Sequence, residues 1–347
     1  MSGGVVSPTV LADLGLAVPV IAAPMAGGPT TPELVVAAAQ AGGLGFLAGG
    51  YLSAAALADQ IAAVRSRTST FGVNLFAPNP VPVDRGAYVR YRDQVRIDAE
   101  RFGATVPESP IEDDDSWRDK IDLLVDRPVP VVSCTFGLPD AAVLAALRRV
   151  GSVVVQTVTS ADEAVQAAEA GVDVLAVQAS AAGGHSGTFT PGRIPQALPL
   201  PDLLAEIDKV VDLPTIAAGG IVEPGQVAAA IAGGAQAVMV GTVLLLAPES
   251  GTSHAYRAAL RSERGDPVVT MAFTGRPARA LPNAFLETHH AGAPLGYPAV
   301  HHLTRPMRKA AAAAGDPEYV NVWAGTGYRS ATPRPAAQIM GDLAAEL

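Results

Sequence analysis

The strongest constraint on this chain is a series of eight short apolar runs: Pro19–Ala23, Leu44–Leu47, Thr70–Leu75, Val129–Cys134, Ser152–Thr157, Asp173–Gln178, Pro214–Ala218 and Ala237–Gly241. They are nearly continuous in Val, Ile and Ala instead of alternating with polar residues, which is how parallel strands covered on both faces read. Between them Thr31–Ala41, Ser53–Arg65, Pro139–Val150, Ser160–Ala170 and Glu223–Ala232 carry Ala and Leu at helical spacing. Alternating strands and helices build an α/β fold with a parallel sheet, and eight such steps favour closure into a (β/α)8 TIM barrel over an open doubly wound sheet.

Successive strand starts lie 21 to 26 residues apart except at two steps of 59 and 41. The first excess places an insertion after the third strand, about residues 77–127, with two helices and an acidic run, Glu112-Asp113-Asp114-Asp115, read as a solvated face. The second, residues 179–199, is a Gly- and Pro-rich loop that holds His185; loops after strand C-termini are where barrels keep their chemistry. After residue 250 the pattern changes to two helices separated by Pro- and Gly-rich loops, ending in Pro335–Leu347. The expected organisation is thus a barrel over 1–250 and a C-terminal helical extension over 251–347 packed on it. Gly42-Gly43-Leu44-Gly45 precedes a strand instead of following one, so it is not read as a dinucleotide fingerprint.

Composition removes several function classes. Hydrophobic residues are 49% of the 347 and charged residues 16%, which excludes global disorder. With 24 basic against 33 acidic residues, a net charge of −9 and no basic run, no nucleic-acid groove is expected. A single cysteine, Cys134, makes neither an internal disulfide nor a multi-thiolate metal site and is read as core. Ala237–Ala247, the longest strongly apolar stretch, is about half of the roughly 20 residues a membrane helix needs. No export signal is read at the N-terminus, so the cytoplasm is the expected compartment and no membrane partner is expected. A homo-oligomer is left open. His254 is read as a helix-surface residue. The pairs His289-His290 and His301-His302 are read as loop histidines, because no carboxylate stands three or four residues on to complete a metal site.

The chemistry converges on the strand ends. Ala217-Ala218-Gly219-Gly220-Ile221 and Met239-Val240-Gly241-Thr242 close the seventh and eighth strands, where barrels commonly bind phosphate through backbone N–H groups that glycine lets approach. Thr242 adds a hydroxyl. At the first strand end, Ala23, Pro24 and Met25 can meet the edge of a heteroaromatic ring, and Asn74 and Gln178 each offer a donor and an acceptor, as the mixed imide edge of a flavin requires. His185, in Gly183-Gly184-His185-Ser186-Gly187, can act as a base when neutral or hold an anion when protonated. Ser186, Thr274 and Arg276 are weaker pocket candidates.

These segments, with Gly72–Asn74, Val177–Gly187, Ala272-Phe273-Thr274-Gly275-Arg276 and Asn321-Val322-Trp323-Ala324-Gly325, resemble the nitronate monooxygenase family, formerly grouped as 2-nitropropane dioxygenases. The resemblance covers most of the chain. It implies an FMN barrel with the flavin contacted by Ala23, Pro24, Met25, Asn74, Gln178, Gly183, Gly220 and Met239 through Thr242, and His185 as the catalytic histidine. It also implies a flavin-dependent oxidoreductase that uses dioxygen to convert an alkyl nitronate or nitroalkane to a carbonyl compound and nitrite. Ala181 and Ser186 stand where that family often has an acidic residue and an arginine. The scaffold is also similar to flavin-dependent enoyl-acyl-carrier-protein reductases and NAD(P)H:quinone reductases, which keeps an NAD(P)H-driven reductase as an alternative. A non-catalytic flavin-binding barrel is a third.

Overall fold

The computed structural model describes residues 14–347; the N-terminal thirteen residues, over which no export signal is read, lie outside the described residues. Eight parallel strands close a barrel in the order β1 (Val20–Ala22), β2 (Leu44–Ala48), β3 (Gly72–Ala77), β4 (Val131–Phe136), β5 (Val153–Val158), β6 (Val174–Gln178), β8 (Thr215–Ala218) and β9 (Ala237–Val240), with β9 pairing back onto β1 through Val20 and Val238. Each strand lies within two residues of its apolar run. The runs are unbroken because both faces are buried. Ile21, Phe46, Val131, Val155, Val174 and Ile216 fill the barrel interior, whereas Val20, Leu47, Val132, Val154, Leu175 and Ala217, one residue away, pack under the helices. Gly72 has no side chain because a Cβ there would sit 2.3 Å from the Phe46 ring.

The helices between the strands begin where the sequence offers a cap. Thr31, Ser53, Asp140 and Ser160 accept a backbone N–H at the starts of α1 (Pro32–Gln40), α2 (Ala54–Arg65), α5 (Ala141–Arg149) and α6 (Ala161–Ala170). α7 (Leu200–Asp208) and α8 (Pro224–Ala232) continue the ring.

The long segment after β3 carries two helices, α3 (Arg85–Arg101) and α4 (Trp117–Asp126). They have different jobs. α4 packs against β3, α2 and α5 as an ordinary barrel helix, while α3 leaves the ring. Within the acidic run, Glu112, Asp113 and Asp114 are exposed as expected, but Asp115 is not part of a solvated face. Its carboxylate pairs at 2.7 Å with Lys120, a lysine buried to 1%.

The segment beyond residue 250 contains four α-helices among the described residues, where two were expected: α9 (His254–Arg261), α10 (Ala284–His289), α11 (Ala299–Ala314) and α12 (Ala336–Leu343). α10, of six residues, is too short to show a period. α12 packs on α1 and α8 and so completes the ring at the place of the eighth barrel helix. α3 and α11 share an apolar cluster of Tyr88, Tyr91, Val95, Leu303 and Met307. A small antiparallel sheet, β10 (Val268–Thr270), β11 (Ala278–Ala280) and β7 (Gly184–His185), ties the loop after β6 to the C-terminal segment. No helix among the described residues is long and apolar enough to cross a membrane.

Candidate active site

The C-terminal ends of the barrel strands open into one cavity. Its lining takes Ala23, Pro24 and Met25 from β1, Asn74 from β3, Gln178, Gly183 and His185 from β6 and its loop, Gly219 and Gly220 after β8, and Met239, Val240, Gly241 and Thr242 from β9. These are the residues read from the strand ends; of the weaker pocket candidates, Ser186, Thr274 and Arg276 are not in the lining of this cavity.

At one end the backbone itself forms the wall. Gly219 and Gly220 are consecutive left-handed residues, with φ of +106° and +80°. A Cβ on Gly219 would lie 2.9 Å from the Ala179 carbonyl oxygen, so only glycine fits. Among the described residues, the N–H groups of Gly219, Gly220, Thr242 and Val243 donate to no backbone carbonyl. A cluster of backbone donors without a protein acceptor at the wall of a cavity is suited to an anion. The Thr242 hydroxyl accepts the Gly325 N–H at 3.0 Å, and Thr326 N–H donates to the Ala181 carbonyl at 3.1 Å. The segment around Trp323–Gly327 is thereby a third wall of the cradle, a part that the residues alone gave no physical reason to place there.

At the other end stands His185, held in β7 opposite Ala278. Gln178 fixes that loop: its Nε2 donates to the His185 carbonyl at 3.1 Å and its Oε1 accepts the Gly187 N–H at 2.7 Å. The Asn74 Nδ2 donates to the Ser133 and Thr135 hydroxyls, at 2.9 and 3.0 Å. Both carboxamides line the cavity while already tied to the protein, so each has only part of its hydrogen-bonding capacity left for a ring.

The His185 imidazole makes a 2.9 Å hydrogen bond through Nε2 to the Thr274 hydroxyl and is enclosed by the rings of Trp323, Phe136 and Tyr297, at 5.2, 5.5 and 6.0 Å between centroids. Burial, with added repulsion from the cations of Arg276 and Arg308, pulls its pKa down to about 3. It is neutral at pH 7. Arg276 is fully buried, lies over the Phe136 ring at 4.0 Å and donates to the carbonyls of Ser186 and Thr188. Arg308 donates to Thr304, Asn321 and His301. Neither guanidinium has a carboxylate partner among the described residues; burial lowers both to about 10, and they stay charged.

Three further sequence readings meet the structure here. His289 ends α10 and pairs with Asp98 at 2.6 Å, and His301 and His302 lie on α11; none of the three is in a loop as expected, because the helices start and stop around Pro and Gly signals that hid them. His254 is exposed at the start of α9. Cys134 is fully buried in β4, outside the cavity, with its thiol pushed up to about 12 by burial. Tyr51, which no sequence pattern marked, also lines the cavity.

Comparison with known proteins bears on the family and the fold. The nitronate monooxygenase family model matches residues 9–346. The chain is 35% identical over 337 residues to a probable nitronate monooxygenase of Staphylococcus aureus, covering 95% of this chain and 94% of that one. Among solved structures it is similar to nitroalkane oxidase from Streptomyces ansochromogenes, with 42% identity, a TM-score of 0.91 and 98% coverage of both chains. It is also similar to FabK from Thermotoga maritima, with 26% identity, a TM-score of 0.73 and coverage of 97% and 95%. A family match that runs from the first strand through the last helix, over a barrel closed in this order, makes the chain a member of the nitronate monooxygenase family of oxidoreductases.

Proposed function

We propose that this chain is an FMN-dependent nitronate monooxygenase, which oxidises alkyl nitronates with dioxygen to carbonyl compounds and nitrite. The observation that carries the reading is one cavity with unpaired backbone donors at one end and a neutral, enclosed imidazole at the other. The fit to FMN rests on this structure. Gly219, Gly220, Thr242 and Val243 would hold the phosphate through their N–H groups, and a Cβ on Gly241 would come within 3.3 Å of the Met25 sulfur, so the wall there is close-packed. Ala23 to Met25 and the free capacity of Asn74 and Gln178 would meet the ring. Bound FMN supplies the electron-accepting step of the oxidation.

The chain's own residues do the rest. Arg276 and Arg308 place two positive charges near His185, neither in a salt bridge among the described residues, which favours an anion there. Phe136, Tyr297 and Trp323 pack around the imidazole. A nitronate has already lost its α-proton and asks no proton transfer of His185, whereas a neutral nitroalkane must give one up. A base whose pKa is pulled to about 3 is poorly matched to that task near pH 7. The site therefore suits the anion, with His185 a neutral imidazole whose Nε2 is held by Thr274.

Oxygen uptake and nitrite release with propionate-3-nitronate and a series of alkyl nitronates test the reading; absence of turnover across the series ends it. Anaerobic addition of NADH or NADPH separates it from the reductase alternative, since rapid bleaching of the flavin would favour a reductase.

A further inference from the structure

Beside the cavity described above lies a second one that shares His185, Met25, Tyr51 and Trp323 with it. No Asp or Glu lines this second cavity among the described residues, whereas Arg305, Arg308 and Lys309 do. These three and His301 come from α11.

Two of its polar groups hold a proton for which there is no acceptor. The Tyr51 hydroxyl is buried beside Tyr297, whose hydroxyl donates to it, while its own proton finds no acceptor among the described residues; its ring stacks on His301 with centroids 4.1 Å apart and planes 3° from parallel. Tyr51 is held in the left-handed region at φ +68°, an expensive backbone for a residue with an aromatic side chain. The Asp115 carboxylate accepts the Tyr51 N–H at 2.9 Å, and Asp115 is itself anchored by the buried Lys120. A buried ion pair thus keeps a strained residue at the rim of the site.

His301 supplies the other group. Arg308 Nη2 lies 3.2 Å from His301 Nδ1; a guanidinium can only donate, so Nδ1 is the acceptor and the neutral imidazole carries its proton on Nε2. That Nε2 is buried and its proton has no acceptor either. Two unsatisfied donors in one basic wall, with a guanidinium behind them, are an unusual residue of folding unless something accepts from them.

We propose that the Tyr51 hydroxyl and the His301 Nε2–H form an oxyanion subsite beside His185, one that takes the nitronate oxygens of the substrate and the nitrite released from it. The identity of the substrate rests on the function proposed above; the subsite is tested with nitrite alone.

Isothermal titration of the purified protein with sodium nitrite, against sodium chloride at equal ionic strength, should show saturable binding. Tyr51→Phe should weaken it about tenfold, and His301→Phe, which keeps a ring stacked on Tyr51, should weaken it at least as much. Tyr51→Phe should melt close to the wild type, because the oxygen it removes is bonded to the Tyr297 hydroxyl alone; this separates loss of a donor from loss of fold and lets Tyr51→Phe decide alone if His301→Phe does not fold. Unchanged nitrite affinity in Tyr51→Phe, or no saturable binding by the wild type, overturns the subsite. Weakened nitrite binding in a protein that turns over no nitronate keeps the subsite and removes the substrate; nitronate turnover with unchanged nitrite affinity does the reverse.

Discussion

The Thr274 hydroxyl lies 2.9 Å from His185 Nε2 and 3.4 Å from the Arg276 carbonyl oxygen, two groups between which its single proton must choose. If His185 donates from Nε2, Thr274 passes its own proton to the carbonyl; if Thr274 donates to Nε2, the imidazole proton sits on Nδ1. Thr274 therefore couples the tautomer of His185 to the backbone of the loop that holds Arg276.

Replacing Thr274 with Val removes that coupling while keeping the shape. The expected result is a flavin-loaded protein whose kcat/KM for alkyl nitronates falls about tenfold, the size of one hydrogen bond at roughly 1.4 kcal/mol. Thr274→Ser should restore most of it. Equal loss in the two variants would place the effect in packing.

The depressed basicity of His185 predicts a preference that steady-state kinetics can read. An ethyl nitronate should be a better substrate than nitroethane by kcat/KM at pH 7, and the nitronate rate should stay flat from pH 5 to 8, because no titration of His185 falls in that window. His185→Asn should lower nitroethane turnover by no more than it lowers ethyl nitronate turnover, because an imidazole held this far below its ordinary basicity contributes little as a base; a selective loss of nitroalkane turnover by about 10² or more would restore it to that role. A rate that rises with an apparent pKa near 6.5 would show that His185 titrates normally.

The barrel was legible in the sequence because strands buried on both faces leave unbroken apolar runs, and because the stretches between them carry Ala and Leu at helical spacing. The glycine pairs at the strand ends were legible for the same kind of reason, since a turn that needs positive φ restricts the residue type. The sheet that carries His185 was not, as β7, β10 and β11 are two or three residues long and too short to show any period. Tyr51 and His301 sit in unremarkable surroundings 250 residues apart, and only the return of α11 over the barrel mouth stacks them. Asp115 was hidden inside an acidic run whose other members are solvated, because a buried Lys120 five residues on leaves no mark of its burial in the sequence.

Gly220 tests the cradle. A valine there would hold a β-branched residue at φ +80°, at a cost of about 1–3 kcal/mol, with its Cβ 3.1 Å from that of Ala181. Gly220→Val should be purified colourless, with FMN affinity lowered by about 10² and far-UV circular dichroism unchanged. A yellow protein with one flavin per chain would move the phosphate elsewhere.

Acid should unfold the protein by way of its buried imidazoles. The folded pKa of His185 is about 3 and that of His301 lies well below its ordinary value, whereas in the unfolded chain both return to about 6.5. Above pH 6.5 the two states are equally deprotonated and these groups contribute nothing to the pH dependence. Below it the unfolded chain takes up protons that the folded one refuses, so stability is lost as pH falls from 6.5 toward the folded values, by at most about 1.4 kcal/mol per pH unit for each histidine. The melting temperature of the wild type should therefore drop between pH 6.5 and 4, and His185→Asn should drop less steeply over the same interval. Parallel slopes for the two proteins would mean that His185 already accepts a proton in the folded state.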